Sequence, residues 1–304
     1  MTTAIEADGL TKRYGRRTVV DHVSFDVPAG TVCGLVGPNG AGKTTVMSML
    51  LGLVRPTEGH ARLLGQPVGG RRANPVGALI EAPAFHAALS GRANLTQLAI
   101  LGRHDRRAVE ATLETVGLAE RADDRYRTYS LGMKQRLGIA AALLADPAIV
   151  ILDEPTNGVD PQGMRDIRGL IGRIAREDRT VLVSSHLLAE LEHVCDHLVV
   201  LDHGGCRFAG PIGGLRGERT QLVARTTDAT RLPELLDLAR RLDPAADSDA
   251  ATASVTIGAD RPDEIAVRWQ RESAAAGIPL AELSQRRATL EDSVLRLVTP
   301  KDAA

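Results

Sequence analysis

Three short, mostly apolar runs stand out along the first two hundred residues: residues 31–36 (Thr-Val-Cys-Gly-Leu-Val), 148–152 (Ala-Ile-Val-Ile-Leu) and 180–183 (Thr-Val-Leu-Val). Continuous rather than alternating runs of this length describe strands buried on both faces, as in a parallel sheet with helices packed on each side. Residues 46–53 form an apolar run suited to a helix under that sheet. Residues 4–30 predict antiparallel strands joined by a turn at Gly15-Arg16-Arg17, and residues 59–70 a turn-rich strand segment. Residues 82–145 lack strand alternation and predict helices over 94–101, over 106–116 and after Ser130. Over residues 161–176, Met164, Ile167, Leu170, Ile171 and Ile174 share one helical face, which is core packing and carries no chemistry.

The pattern changes after Leu215. Gly213, Gly214 and Gly217 with Arg216, Glu218 and Arg219 predict a linker. Beyond it strand (221–225), helix (232–242), strand (253–257), helix (263–275), strand (280–285) and a last helix from Leu290 follow in turn. This alternation predicts a small α+β domain over residues 220–304. Thr289-Leu290-Glu291-Asp292 has the form of a helix-capping box, and Leu290, Val294, Leu297 and Val298 give that helix an apolar face. Residues 244–252 are small and polar, an exposed hairpin or loop, and the pairs Arg240-Arg241 and Arg286-Arg287 read as solvated faces.

The turn between the first buried strand and its helix carries the chemistry. Gly37-Pro38-Asn39-Gly40-Ala41-Gly42-Lys43-Thr44-Thr45 has the spacing of a phosphate-binding loop, in the strand–loop–helix context that the motif requires. Glycines allow successive backbone N–H groups to surround phosphate oxygens, and the helix N-terminus adds partial positive charge. Lys43 supplies a cation for the β- and γ-phosphates, and the Thr44 hydroxyl suits Mg²⁺. Asp153 and Glu154 end the second buried strand, at the carboxyl edge where α/β sheets collect ligands. Asp153 fits a Mg²⁺ ligand, and Glu154 fits the base that orients or deprotonates an attacking water. His186 follows Ser184 and Ser185 at the end of the third strand. It is either a capping or surface residue or a hydrogen-bonding partner of the γ-phosphate. Ser130, ahead of an apolar helix, is a natural N-cap, and Gly132 permits close approach of backbone or phosphate.

These segments, in this order, resemble the ATP-binding subunits of ABC transporters over roughly residues 4–215. The resemblance implies a P-loop nucleotide-binding domain over residues 1–215 with an antiparallel β subdomain and a helical insert at about 82–145. Tyr14, in Leu10-Thr11-Lys12-Arg13-Tyr14-Gly15, matches the family's adenine-stacking aromatic. Residues 129–135 match its signature, with Ser130 and Gly132 retained. Asn157-Gly158-Val159-Asp160 matches the loop that communicates across a dimer, and His186 the switch histidine. In this family the signature of one subunit closes over the γ-phosphate of ATP held by the other. The resemblance therefore implies an ATP-dependent homodimer, with Ser130, Gly132 and Asp160 facing the partner's ATP. Two positions depart from the usual pattern: Glu81 stands where Gln is usual, still a hard oxygen ligand for Mg²⁺, and Met133 replaces the last Gln of the signature. Both variants, and the Leu290-Glu291-Asp292 ending, are similar to exporters of the bacitracin and daunorubicin type.

Composition narrows the partners. The 37 basic and 38 acidic residues nearly cancel, and aromatics are 2% of the chain, so neither a basic field nor stacking platforms for nucleic acid are present. Cys33, Cys195 and Cys206 have no metal or disulfide spacing, which suits a reducing cytosol. The N-terminus lacks a signal-peptide profile, and no apolar run approaches the ~20 residues needed to cross a bilayer. The expectation is an ATPase on the cytoplasmic face of the membrane that drives an exporter through a separate permease. The alternatives are an importer subunit and a soluble regulatory ATPase acting on ribosomes or DNA. A single phosphate loop and the absence of heptads weigh against the last.

Overall fold

The computed structural model describes residues 2–69, 76–81, 84–176, 178–215, 220–286 and 290–298. The chain divides into two compact units, the second comprising Gly213–Arg296 and the first Met1–Ile212 together with the chain from Leu297. The expected linker residues Arg216, Gly217, Glu218 and Arg219 lie outside the described residues, as do Ala82, Pro83, Arg287 and the expected cap Thr289.

The first unit begins with an antiparallel pair, β1 (Thr3–Tyr14) and β2 (Arg17–Pro28), whose turn sets Tyr14 opposite Arg17. Val23, Phe25 and Val27 of β2 alternate inward with the period of two that a half-buried strand requires. β4 (Glu58–Leu63) and β5 (Gln66–Pro67) extend this sheet in the order β2-β1-β4-β5. A second, six-stranded sheet contains β3 (Val32–Val36), β6 (Val76–Leu79), β7 (Ile149–Leu152), β8 (Thr180–Ser185), β9 (His197–Asp202) and β10 (Gly205–Pro211). Its order is β10-β9-β3-β8-β7-β6, with every pair parallel except the edge pair β10–β9. All residues of β3 and β7 are buried, as their unbroken apolar sequences require. β8 lies between β3 and β7, so three strands widely separated in sequence end side by side. It continues through Ser184 and Ser185, two residues beyond its apolar run. β6, β9 and β10 are strands beyond those that the sequence pattern predicts.

Helix α1 (Lys43–Leu50) buries Val46, Met47, Met49 and Leu50 in one core with β1, β2 and the parallel sheet. The insert contains α2 (Gly91–Gly102), α3 (Arg106–Thr115) and α4 (Leu131–Leu143). Each starts on a side-chain cap: Ser90 Oγ accepts from Ala93 N, an Asp105 carboxylate oxygen from Arg107 N, and Ser130 Oγ from Met133 N. α5 (Pro161–Arg176) places Pro at its start and buries Ile167, Leu170, Ile171 and Ile174, while Met164 is half-buried. The short helices α6 (Leu188–Leu191) and α7 (Ile212–Leu215) follow β8 and β10.

In the second unit β11 (Thr220–Thr226), β12 (Asp247–Asp249), β13 (Ser254–Ala259) and β14 (Leu280–Arg286) form an antiparallel sheet ordered β12-β13-β11-β14. α8 (Leu232–Leu242) connects β11 to β12, α9 (Pro262–Ala275) connects β13 to β14, and α10 (Leu290–Val298) follows. The order β-α-β-β-α-β with this strand arrangement is the split-βαβ, ferredoxin-like topology. Its core joins Leu222, Ala224, Val255 and Ile257 to Leu235, Leu238 and the fully buried Trp269. β12 falls inside the polar stretch expected as hairpin or loop. It is too short and too rich in Asp to show as a strand in sequence, and it forms by pairing with β13.

The insert is seated on the sheet through a close approach of backbones. A Cβ at Gly77 of β6 would collide with the carbonyl oxygen of Ala142 in α4. Gly77→Ala is expected to push α4 off the sheet edge and cost about 1–3 kcal/mol. Chemical denaturation of the variant against the parent checks this, and equal stability would mean that α4 shifts without penalty.

Candidate nucleotide site

Strand β3 delivers the chain into the loop 37–42 at the carboxyl edge of the parallel sheet. Gly42 caps α1 with a left-handed φ of 100°, and a Cβ there would sit 2.9 Å from the Val19 carbonyl oxygen, so only glycine suits the position. No side chain caps this helix and no acid occupies its first turn. Its leading N–H groups therefore lack a side-chain acceptor, the arrangement that fits a phosphate. They adjoin an open cleft of about 410 Å³ lined by Tyr14, Arg17, Val19, residues 38–45 and Glu154. That size is ordinary for a small-molecule site.

Lys43 is buried, and its Nζ donates to the Gly37 carbonyl at 2.7 Å. It also lies 3.4 Å from Glu154 Oε1, while Glu154 Oε2 is 2.8 Å from His186 Nδ1. The two oxygens of one carboxylate are thus each engaged by a different residue, one from α1 and one from the segment after β8. Glu154 adopts a left-handed φ of 47°, a conformation that costs a non-glycine residue about 1–2 kcal/mol.

Behind Glu154 lies a second layer. Thr44 Oγ1 donates to Asp153 Oδ2 at 2.7 Å, and Ser184 Oγ donates to Asp153 Oδ1 at 2.6 Å. The Ser184 oxygen in turn accepts the Glu154 N–H at 2.8 Å, and the Asp153 N–H donates to the Leu79 carbonyl at 2.8 Å. Thr44 and Asp153 together present hard oxygen donors, the set that suits Mg²⁺.

Tyr14 ends β1 at the cleft, its ring 52% exposed, with Lys12 Nζ 5.0 Å from the ring centroid. Glu81 is exposed, with φ 60°, two residues beyond β6, and does not line the cleft. Ser130, Gly132 and Asp160 do not line it either. They gather where α4 and α5 begin: Gly132 packs toward Val159 and Gly163, and Asp160 Oδ1 accepts from Gly163 N at 2.7 Å. Arg17 and Val19 line the cleft without having been singled out in the sequence. Their place beside the phosphate loop arises from the β1–β2 hairpin folding over it, which no local motif encodes. Cys33 and Cys195 are core residues; burial raises both thiols, that of Cys195 to about 12.

Comparison with known proteins places the chain in a family. The ABC transporter family model matches residues 20–157. The bacitracin transport ATP-binding protein BcrA of Bacillus licheniformis is 44% identical over 209 residues, covering 67% of this chain and 68% of that one. The ABC transporter ATP-binding protein YhcH of Bacillus subtilis (strain 168) is 43% identical over the same shares. Among solved structures, an ATP-binding subunit of an ABC transporter is 27% identical with a TM-score of 0.63, covering 70% of this chain and 92% of that one. The chain belongs to the ABC transporter family. It is an ATP-binding subunit and an ATPase, with the P-loop fold of that class.

Lys43→Ala should weaken ATP binding roughly 10- to 100-fold, the worth of a charged hydrogen-bonding group. Direct titration with ATP measures it, and an unchanged affinity would remove Lys43 from the phosphate contacts.

Proposed function

We propose that this subunit drives a transporter for peptide antibiotics or similar drugs, by ATP-dependent closing and opening of a homodimer against a separate permease. The observation that carries the ATPase chemistry is the Glu154 carboxylate, held between Lys43 and His186 at the cleft. Relatives support the cargo class: besides BcrA they include the lantibiotic transport ATP-binding protein SrtF of Streptococcus pyogenes, 38% identical over 200 residues, 66% of this chain and 87% of that one. None of these relatives favours the ribosome- or DNA-acting alternative. Among the described residues no helix is long and apolar enough to cross a membrane, which suits a subunit working from the cytoplasmic face.

In this reading adenine stacks on Tyr14. The backbone N–H groups of residues 40–45 and the Lys43 ammonium receive the phosphates. Thr44 and Asp153 would hold Mg²⁺, which would supply charge neutralisation at the phosphates, and Glu81, at the neighbouring strand end, would offer a further oxygen ligand. Glu154 accepts a proton from water as the water oxygen bonds to the γ-phosphorus. The bond from that phosphorus to the β-γ bridging oxygen breaks, leaving ADP and phosphate. His186 donates a hydrogen bond to the transferring group, and Lys43 offsets its charge. Ser130, Gly132 and Asp160 of a second copy complete each site. The helical insert, carrying Ser130, passes the closure to the permease.

Replacing Glu154 with Gln keeps the shape and removes the base. ATP binding is then expected to persist while turnover falls roughly 10²–10⁴-fold, the usual range for a positioned base. The variant should also accumulate as an ATP-bound dimer in light scattering. Near-normal turnover would reject Glu154 as the base.

We assign the ferredoxin-like unit to dimer holding or regulation, because it folds around its own core and none of its described residues carries a nucleotide-site motif. Ending the chain at Leu215 should leave ATP affinity within about twofold and change ATP-dependent association or the ATPase rate. A match to the full chain in both would leave this unit without either role.

A further inference from the structure

Beyond the phosphate loop, the acidic pair and the histidine, one side chain joins the groups assigned to metal binding and to proton transfer. Ser184 is fully buried near the carboxyl end of β8, the strand between the one bearing the phosphate loop and the one bearing Asp153 and Glu154. A hydroxyl has a single proton to donate and two lone pairs to accept with. Here the proton goes to Asp153 Oδ1 at 2.6 Å, and the oxygen receives the Glu154 N–H at 2.8 Å.

Each bond has a distinct consequence. With Oδ1 engaged by Ser184 and Oδ2 by the Thr44 hydroxyl, the Asp153 carboxylate cannot rotate about its side-chain bonds without losing one of them. The orientation of the Thr44 hydroxyl is fixed with it, since its proton points at Asp153. The second bond anchors the backbone of Glu154, whose left-handed φ of 47° needs outside support to persist. Moving that peptide would swing the carboxylate out of reach of both Lys43 and His186.

We infer that Ser184 is a positioning residue for ATP hydrolysis, holding the Asp153 carboxylate and the Glu154 backbone in one arrangement through a single hydroxyl. Its neighbour Ser185 does something different: its Oγ accepts from the Leu187 N–H at 3.0 Å and shapes the turn after β8. The inference rests on the reading of Glu154 as the base.

The test is steady-state ATPase of the full chain with Ser184→Ala, Ser184→Thr, Glu154→Gln and the Ser184→Ala/Glu154→Gln pair, each with a melting curve and an ATP titration. Ser184→Ala should lower kcat roughly 10- to 100-fold while ATP affinity stays within about threefold, because the phosphate cradle is untouched. Ser184→Thr, which keeps the hydroxyl, should recover most of the loss. A hydroxyl acting in part through Glu154 makes the loss in the double variant smaller than the product of the two single losses. If Ser184→Ala does not fold, Ser184→Cys keeps the volume with a weaker donor and acceptor, and should show the same kcat loss at unchanged affinity. A folded Ser184→Ala or Ser184→Cys protein with parental kcat, or losses that simply multiply in the double variant, overturns the inference. Near-parental turnover in Glu154→Gln overturns the underlying reading, and this inference with it.

Discussion

The hydrogen bond from Thr44 to Asp153 spans 109 residues of sequence, and the catalytic half of the molecule is organised around it. It ties the first turn of α1 to the end of β7. It can form only because β8 lies between β3 and β7, so that all three strands run the same way and end at the same edge. A parallel sheet concentrates its loops at its carboxyl end. A phosphate loop from one strand, an acidic pair from another and a histidine from a third then meet without any of them being adjacent in the chain.

Electrostatics at that edge is arranged in opposition. The uncapped start of α1 and the buried Lys43 ammonium are positive, Asp153 and Glu154 negative, and each carboxylate oxygen has a donor directed at it. Burying charges is costly unless they are paired and hydrogen-bonded. Here Lys43 is paired with Glu154, the two Asp153 oxygens accept from the Thr44 and Ser184 hydroxyls, and Glu154, the most exposed of the three charged groups, touches both Lys43 and His186. Phosphoryl transfer needs positioning and charge stabilisation more than covalent help, so a site in which Lys43, Asp153 and Glu154 are already held is well suited to it.

The second unit follows different rules. Its sheet is antiparallel, its core is centred on Trp269 and the inward residues of β11 and β13, and its topology is one that hosts many unrelated activities. Fold alone therefore says nothing about its role.

The sequence by itself determined whatever depends on neighbours in the chain. The phosphate loop, the acid pair after its apolar strand, the Ser130 cap and the apolar face of α5 are local patterns with local causes. The helices of the second unit fall where their periodicity put them, α8 at the same residues. β9 has a Leu-Val-Val-Leu run as apolar as β7, but no chemical motif follows it to mark the strand. β6, β10 and β12 are too short, too mixed or too polar to be seen before their partners are known. Tertiary structure alone decided that Ser184 bridges Asp153 and Glu154, that Arg17 and Val19 line the cleft, and that Glu81 stands exposed outside its lining. The physical reason is the same in each case. Strand order brings distant residues into contact, and a hydrogen bond across a sheet leaves no periodicity in the sequence that forms it.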